Sequence, residues 1–305
     1  MIMTQPQISG GAAATASASG CRRQTFHDFF ESWIVEQNQY LQELLHASKN
    51  HPEDQDLLRP LIQRVLNHYR HYYRSKSTLA KDDILAMFNP SWRSSFEDAF
   101  LWIGGWRPTM AFHLLYSKSG LQLQANLTHL LQVQDLLIHT RDLADLSLRQ
   151  LEQIDKLQTA TVKEEKAITE KLAKHQERLA DPAMVQLAHA ATDDDEQQPI
   201  PMDETQLEAA LATKEEGLVE VLKKADELRL KTLTNVIQVL TPIQSVHFLI
   251  SAAELHLRVH EWGKRRDTRR NNNNNNNDIN HPPPPPPPPP PFDGSGGGNG
   301  DGDHS

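Results

Sequence analysis

Between Thr25 and Trp262 the large apolar side chains recur at spacings of three and four almost without a break, and this periodicity restricts the chain to one kind of architecture. A period near 3.6 places each stripe on one helix face. A strand needs alternation, and no segment alternates long enough to make one. The expected fold class is all-α, a single helical bundle of long antiparallel helices. Phe26, Phe29, Phe30, Trp33, Gln37, Tyr40, Leu41 and Leu44 give the first helix a wide aromatic face, with Thr25 and Asp28 at its start. A second helix opens near Asp54 and carries Leu58, Leu61, Ile62, Val65, Leu66, Tyr69 and Tyr72. Pro60 falls in its early turns, where a missing N–H is tolerated.

Residues 94–103 predict a third helix, stopped by Gly104 and Gly105 because glycine readily takes the left-handed conformation at a helix end. Pro108 suits the first turn of a fourth. Trp102, Gly104, Gly105, Trp106, Arg107 and Pro108 therefore read as a tight interhelical corner, with Arg107 pairing to a helix-end carbonyl or to an acid such as Asp98. Ser147 and Gln150 form a capping box for a long helix through Ile154, Leu157, Ile168 and Leu172, which Asp181-Pro182 should end. Another long helix runs from Asp203 through Leu222 and Ile237, and the acidic, proline-bearing residues 191–202 before it read as a solvated linker loop. Thr241, Pro242 and Gln244 supply the first positions of a last helix, whose stripe is Ile243, Val246, Ile250, Ala253, Leu257 and His260. Gly263 reads as its C-cap.

The ends of the chain differ in kind. Residues 1–21 are Ala, Ser, Gly and Thr with almost no large apolar group, and 271–305 hold an Asn run, the prolines Pro282–Pro291 and a Gly/Asp-rich stretch. Such segments cannot offset their own ordering entropy, so both are expected as disordered tails around a folded region of 22–270. Cys21 is the only cysteine and excludes an intramolecular disulfide. No apolar run is long enough to span a membrane and no signal-peptide core is present, which reads as a soluble intracellular chain.

Four stretches together resemble a plant family, the delay-of-germination or seed-dormancy-control domain, which also forms the C-terminal regulatory half of TGA-type bZIP transcription factors. They are FHDFFESWIVEQNQYLQEL (26–44), FEDAFLWIGGWRPTMAFHLLYS (96–117), DLSLRQLEQIDKLQ (145–158) and LRLKTLTNVIQVLTPIQSVHFLISAAELHLRVHEWGKRRD (228–267). Only the 21 tail residues precede the folded region, so the chain reads as the stand-alone type, without a basic region and zipper. The resemblance implies a non-enzymatic regulator of transcription and of developmental or hormone responses such as seed dormancy, in the nucleus and also the cytoplasm. The implied partners are regulatory proteins, protein phosphatases or bZIP factors among them, and a second copy of the chain.

The resemblance also brings haem into view, through His256 and His260. Four apart on one helix, they stand on one side of it, about 6 Å apart along the axis. That spacing can chelate a small divalent ion, but it cannot furnish both axial ligands of one haem, which approach from opposite faces. Either one of the two ligates alone, or a partner such as His247 joins it. The competing reading is a pair of core-edge histidines hydrogen-bonded to a neighbouring carboxylate, and no metal site is assigned.

Lys264, Arg265, Arg266, Arg269 and Arg270 read as a nuclear-import or phosphate-contact patch, or equally as charge complementing a helix C-terminus by roughly 0.3–1 kcal/mol per group. With a formal charge of −9, duplex binding by the chain alone is poorly supported, because phosphate neutralisation carries much of such affinity. DNA contact is kept as an alternative in complex with bZIP partners. No GxSxG, P-loop, HExxH or reactive-cysteine setting occurs, so an enzyme is not expected.

Overall fold

Short polar side chains close most helix starts by reaching orphan backbone N–H groups. The computed structural model describes residues 11–133, 142–192 and 204–279. α1 (Gly11–Asn50) is followed by α2 (Gln55–Ala80), where the Asp54 side chain accepts from Leu57 N, and by α3 (Ile84–Phe88), where Asp83 accepts from Ala86 N. Ser94 and Glu97 make a capping box for the short α4 (Ser95–Asp98). α5 (Met110–Val133) follows Pro108, and the expected box of Ser147 and Gln150 opens α6 (Leu148–Glu177). α7 (Pro182–Thr192), α8 (Glu204–Val239) and α9 (Pro242–Ile279) complete the order. Among the described residues there is no strand, and the fold is all-α. Residues 1–267 form one compact unit and 268–305 a second.

α1 begins at Gly11, inside the stretch read as a tail, where the alanines of AAATASA favour helix. Residues 1–10 and 280–305, and nearly all of the 191–202 linker, lie outside the described residues. Asp181-Pro182 ends α6 as expected and also starts α7: Pro182 needs no hydrogen-bond donor at a helix start, and Met184 N donates to the Asp181 carboxylate at 3.0 Å.

Ion pairs along two hairpins fix their sense. Lys231 with Glu164, Lys171 with Glu220, and Lys214 with Asp181 run in opposite directions along α6 and α8, so the two are antiparallel. Glu43 with Arg64 and Gln37 with Tyr69 do the same for α1 and α2. The core lies in two clusters. One gathers Leu44, Leu58, Phe112, Ile154, Val236 and Phe248, the other Phe30, Trp33, Trp92, Met87, Val221 and Ala225, and Tyr69 packs against both. The aromatic face expected of α1 is buried or half-buried at every named position.

The corner differs from expectation. The third helix does not reach Ile103: α4 ends at Asp98, and Trp102 to Gly105 form a tight turn, with Trp102 N donating to Gly105 O at 2.7 Å and Gly105 N returning to Trp102 O at 3.3 Å. Its central residues, Ile103 and Gly104, both have positive φ (48° and 62°), the mark of a type I′ turn. Gly104 caps no helix. It suits this place because a Cβ there would stand 2.5 Å from the Met87 carbonyl oxygen.

A β-branched residue at positive φ is strained, and buried charges hold it in place. Lys76 Nζ donates to Gly104 O at 2.7 Å. The Arg229 guanidinium donates to the carbonyls of Trp102, Ile103 (2.9 Å) and Trp106 (2.7 Å). Asp226, itself buried, pairs with both cations. Without Arg229 the carbonyls of Trp102, Ile103 and Trp106 lose their donor inside the core, so Arg229→Ala should lower the unfolding free energy by about 3–5 kcal/mol. Urea denaturation reads this directly, and a loss below about 1 kcal/mol would show that the turn does not depend on the clamp.

Candidate functional site

Gly263 does not cap α9, which continues through it to Ile279. A glycine inside a helix costs only about 1 kcal/mol, and here its missing side chain is used: a Cβ would lie 2.0 Å from Ser94 Oγ. α9 thus passes directly over the start of α4. Lys264, Arg265, Arg266, Arg269 and Arg270 consequently lie within the helix rather than at its carbonyl end, and the helix-end reading of these charges fails. Arg265 pairs with Glu261, Arg266 lies 5.9 Å from the centre of the Phe96 ring, and Arg269 and Arg270 are exposed.

The close crossing brings His260 to Glu97. His260 Nδ1 donates to Glu97 Oε2 at 2.9 Å, and the same oxygen accepts from Ser94 N (2.9 Å) and Ser94 Oγ (2.7 Å). Burial would raise the Glu97 carboxyl, but the hydrogen bonds from His260 and Ser94 outweigh it and hold the group at about 2. Ser94, Glu97 and His260 match a hydrolytic triad in composition only. Ser94 Oγ donates to the acid and not to the imidazole, and it is fully buried.

One turn earlier, His256 is in a different situation. Its Nε2 is buried and has no hydrogen-bond partner among the described residues, and its ring lies 5.5 Å from Trp33 and 6.5 Å from Trp106. Burial pulls its pKa down to about 3, so the imidazole is neutral at physiological pH. It lines a cavity of about 620 Å³, walled by Tyr69, Tyr72, Trp106, Leu233 and Phe248, into which Lys76, Arg93, Arg107 and Arg229 also face. That size and lining fall within the range of small-molecule sites.

His256 and His260 therefore do not act as a chelating pair. His260 is the core-edge histidine bonded to a carboxylate, edge-on to Phe30 at 5.5 Å, while His256 alone meets the cavity. His247 stands about 13 Å back along the helix axis and on its opposite side, where it cannot join them. Among the described residues no three His, Cys, Asp or Glu side chains gather to hold a metal ion. Two histidines of α2 are packing groups: His68 stacks on Trp33 at 4.5 Å with its Nδ1 3.2 Å from Glu36, and His71 meets Phe29 edge-on.

The corner residues are placed together as expected, but Arg107 pairs with Glu165 (3.4 Å) rather than Asp98. Glu165 also accepts from Thr109 N at 2.8 Å, and the Trp102 indole donates to Thr169, so the corner is tied to α6. Sequence reasoning missed Lys76, Arg93, Glu97, Asp226 and Arg229. A signal existed for some: Ser94-x-x-Glu97 has capping-box spacing, and Asp226 and Arg229 fall among Leu222, Ala225 and Thr232 on the buried stripe of α8.

Glu97→Gln should cost about 1.5–3 kcal/mol at pH 7, the worth of hydrogen bonds to a buried charge. A carboxyl at about 2 when folded, against roughly 4.3 when unfolded, stabilises fully above about pH 5 and loses that contribution as the pH falls toward 2. The stability gap between wild type and variant, from denaturant melts at pH 7 and pH 3, should shrink on acidification. A gap that stays constant would contradict an ionised Glu97 carboxylate.

Comparison with known proteins places this geometry in a family. The family profile named DOG1 and described as seed dormancy control matches residues 40–117, which span the end of α1, α2, the corner and the first turns of α5. Protein DOG1-like 3 of Arabidopsis thaliana is 31% identical over 261 residues, covering 84% of this chain and 90% of the relative. Protein DOG1-like 4 of the same plant is 31% identical, covering 79% and 93%. Transcription factor TGA2 of Arabidopsis thaliana is 28% identical over 83% of this chain and 67% of its own length. With the corner and its all-helical frame inside the matched region, the chain belongs to the DOG1, seed dormancy control, family.

Proposed function

We propose that this chain is a non-enzymatic regulator of transcription-linked development, of the seed-dormancy type, and that it works in the nucleus by binding other proteins, TGA-type bZIP factors foremost. The observation that carries the reading is a groove of about 600 Å³ between α1 and α9. Trp262 (57% exposed) and Leu255 (42%) stand in it beside Leu41 and Leu45, with Lys118, Arg258, Glu254 and Glu261 at its edge. A solvent-facing tryptophan with apolar neighbours and a charged rim has the make-up of a protein-binding hot spot. The relative named as a transcription factor supports a transcriptional setting, and among the described residues no helix is long and apolar enough to cross a membrane. Phosphatases are the second partner class in this reading. Affinity purification from plant nuclei should recover a bZIP factor with the wild-type chain and at least tenfold less with Trp262→Ala, equivalent to about 1.4 kcal/mol. Equal recovery by both chains would refute the groove as the contact.

A second reading, haem sensing, is favoured by the unpartnered His256 Nε2 at the cavity. The residues fit one axial imidazole, from His256, and exclude the pair. Haem bound there would supply an iron whose ligation responds to redox state and small gases. On titration with haem, a Soret band should form in wild type and in His260→Ala but not in His256→Ala; loss in His260→Ala alone would overturn the assignment.

A further inference from the structure

We propose that Lys76 is a covalent modification site, its Nζ taking up carbon dioxide to form a carbamate that the neighbouring arginines hold. Lys76, Arg93 and Arg229 are three buried cations, and both arginines act electrostatically on Lys76. Among the described residues Asp226 is the one acid that pairs with any of them, and it is divided between Lys76 and Arg229. Arg93 has no acid of its own. Its Nη2 donates to the Tyr72 hydroxyl at 3.1 Å, its Nε and Nη1 are buried without a partner, and Glu97, which acts on it from a distance, bonds to Ser94 and His260. Surplus positive charge kept dry, with unsatisfied donors, is costly. A carbamate converts Lys76 from cation to anion, so that two arginines then face two anions.

The chemistry needs a free amine. Burial pulls the Lys76 ammonium down to about 7 against the opposing pull of Asp226, so about half of it is amine at pH 7, whereas an ordinary lysine offers about a thousandfold less. The ammonium first gives a proton to solvent. The Nζ lone pair then forms the N–C bond to carbon dioxide while one C=O electron pair moves onto oxygen, and the nitrogen releases a second proton. Amine and carbon dioxide thus give a carbamate anion and a proton, with no oxidant or reductant. One N–H remains on the nitrogen and can keep the bond to Gly104 O, now 2.7 Å, so the corner stays tied. Room for the three added atoms lies in the cavity of about 620 Å³ that Lys76 and Arg93 both line, where two carbamate oxygens would suit the unused side of the guanidinium fork. At 1% exposure Lys76 is shielded from bulk water, which slows the protonation at nitrogen by which carbamates break down.

The proposal uses neither the exposed groove at Trp262 nor an iron ligand at His256, so each can fail separately. The test equilibrates the full chain, without haem, with carbon-13-labelled bicarbonate and carbon dioxide at pH 8 and reads the carbon-13 NMR spectrum. Wild type should show one carbamate resonance that is absent in Lys76→Gln. The N-terminal amine, which can also form a carbamate, is common to both chains and cancels in the difference. Arg93→Gln should lower the resonance at least fivefold at equal carbon dioxide. Trapping the wild-type carbamate with triethyloxonium, followed by peptide mass spectrometry, needs no variant and keeps the test decisive if either variant lacks a cooperative thermal transition. It should find the ethyl carbamate on Lys76 at least tenfold above the level on an exposed lysine such as Lys223. Identical spectra for wild type and Lys76→Gln, an adduct on Lys76 no more abundant than on Lys223, or an undiminished resonance in Arg93→Gln would overturn the proposal.

Discussion

A carboxylate in the core, Asp226, is the interaction on which the rest of the unit depends. It lies between Lys76 of α2 and Arg229 one turn along α8, and both cations extend beyond it to the backbone oxygens of the corner. Two charges alone in such a place would be unfavourable, and three that share hydrogen bonds with buried carbonyls are tolerable. The result is a strained turn with two positive-φ residues, held by charge rather than by helix propensity. Because the clamp draws α2, α8 and the corner to one point, the cavity beside them has fixed walls. Burial also pulls the Lys76 ammonium down to about 7, against the opposing pull of Asp226, which is how much the surroundings disfavour charge there.

The second constraint is a missing atom. At Gly263 α9 lies so close to Ser94 that any side chain would collide with the capping box of α4. That closeness allows His260 to complete the shell of Glu97, and it places His256, one turn back, over the cavity with an unused ring nitrogen. Two histidines on one helix face thus have opposite roles. One locks two elements together, and the other remains available to a ligand.

Helix identity was legible because it depends on local patterns: the apolar stripe of α1, the Ser147–Gln150 box and the Thr241–Gln244 start all recur in the fold. What was not legible depends on chain meeting chain. Nothing near Gly263 in sequence says that Ser94 will lie against it, so it resembled a C-cap, and the cations after it resembled helix-end charges. The corner was recognisable as a corner, yet its turn type and its clamp required Lys76 and Arg229, far away in the chain. Arg93 gave no signal, since an arginine among polar neighbours reads as solvated until burial is known.

The central claim is that buried charge holds the corner as firmly as the helical core, and native-state hydrogen exchange tests it most directly. The amide of Trp102, bonded across the turn, and that of Thr109, bonded to Glu165, should exchange only through global unfolding, with the same free energy as amides in the middle of α8. Exchange of these two amides a hundredfold or more faster than the α8 core would mean that the corner opens on its own and that the clamp does not define the site.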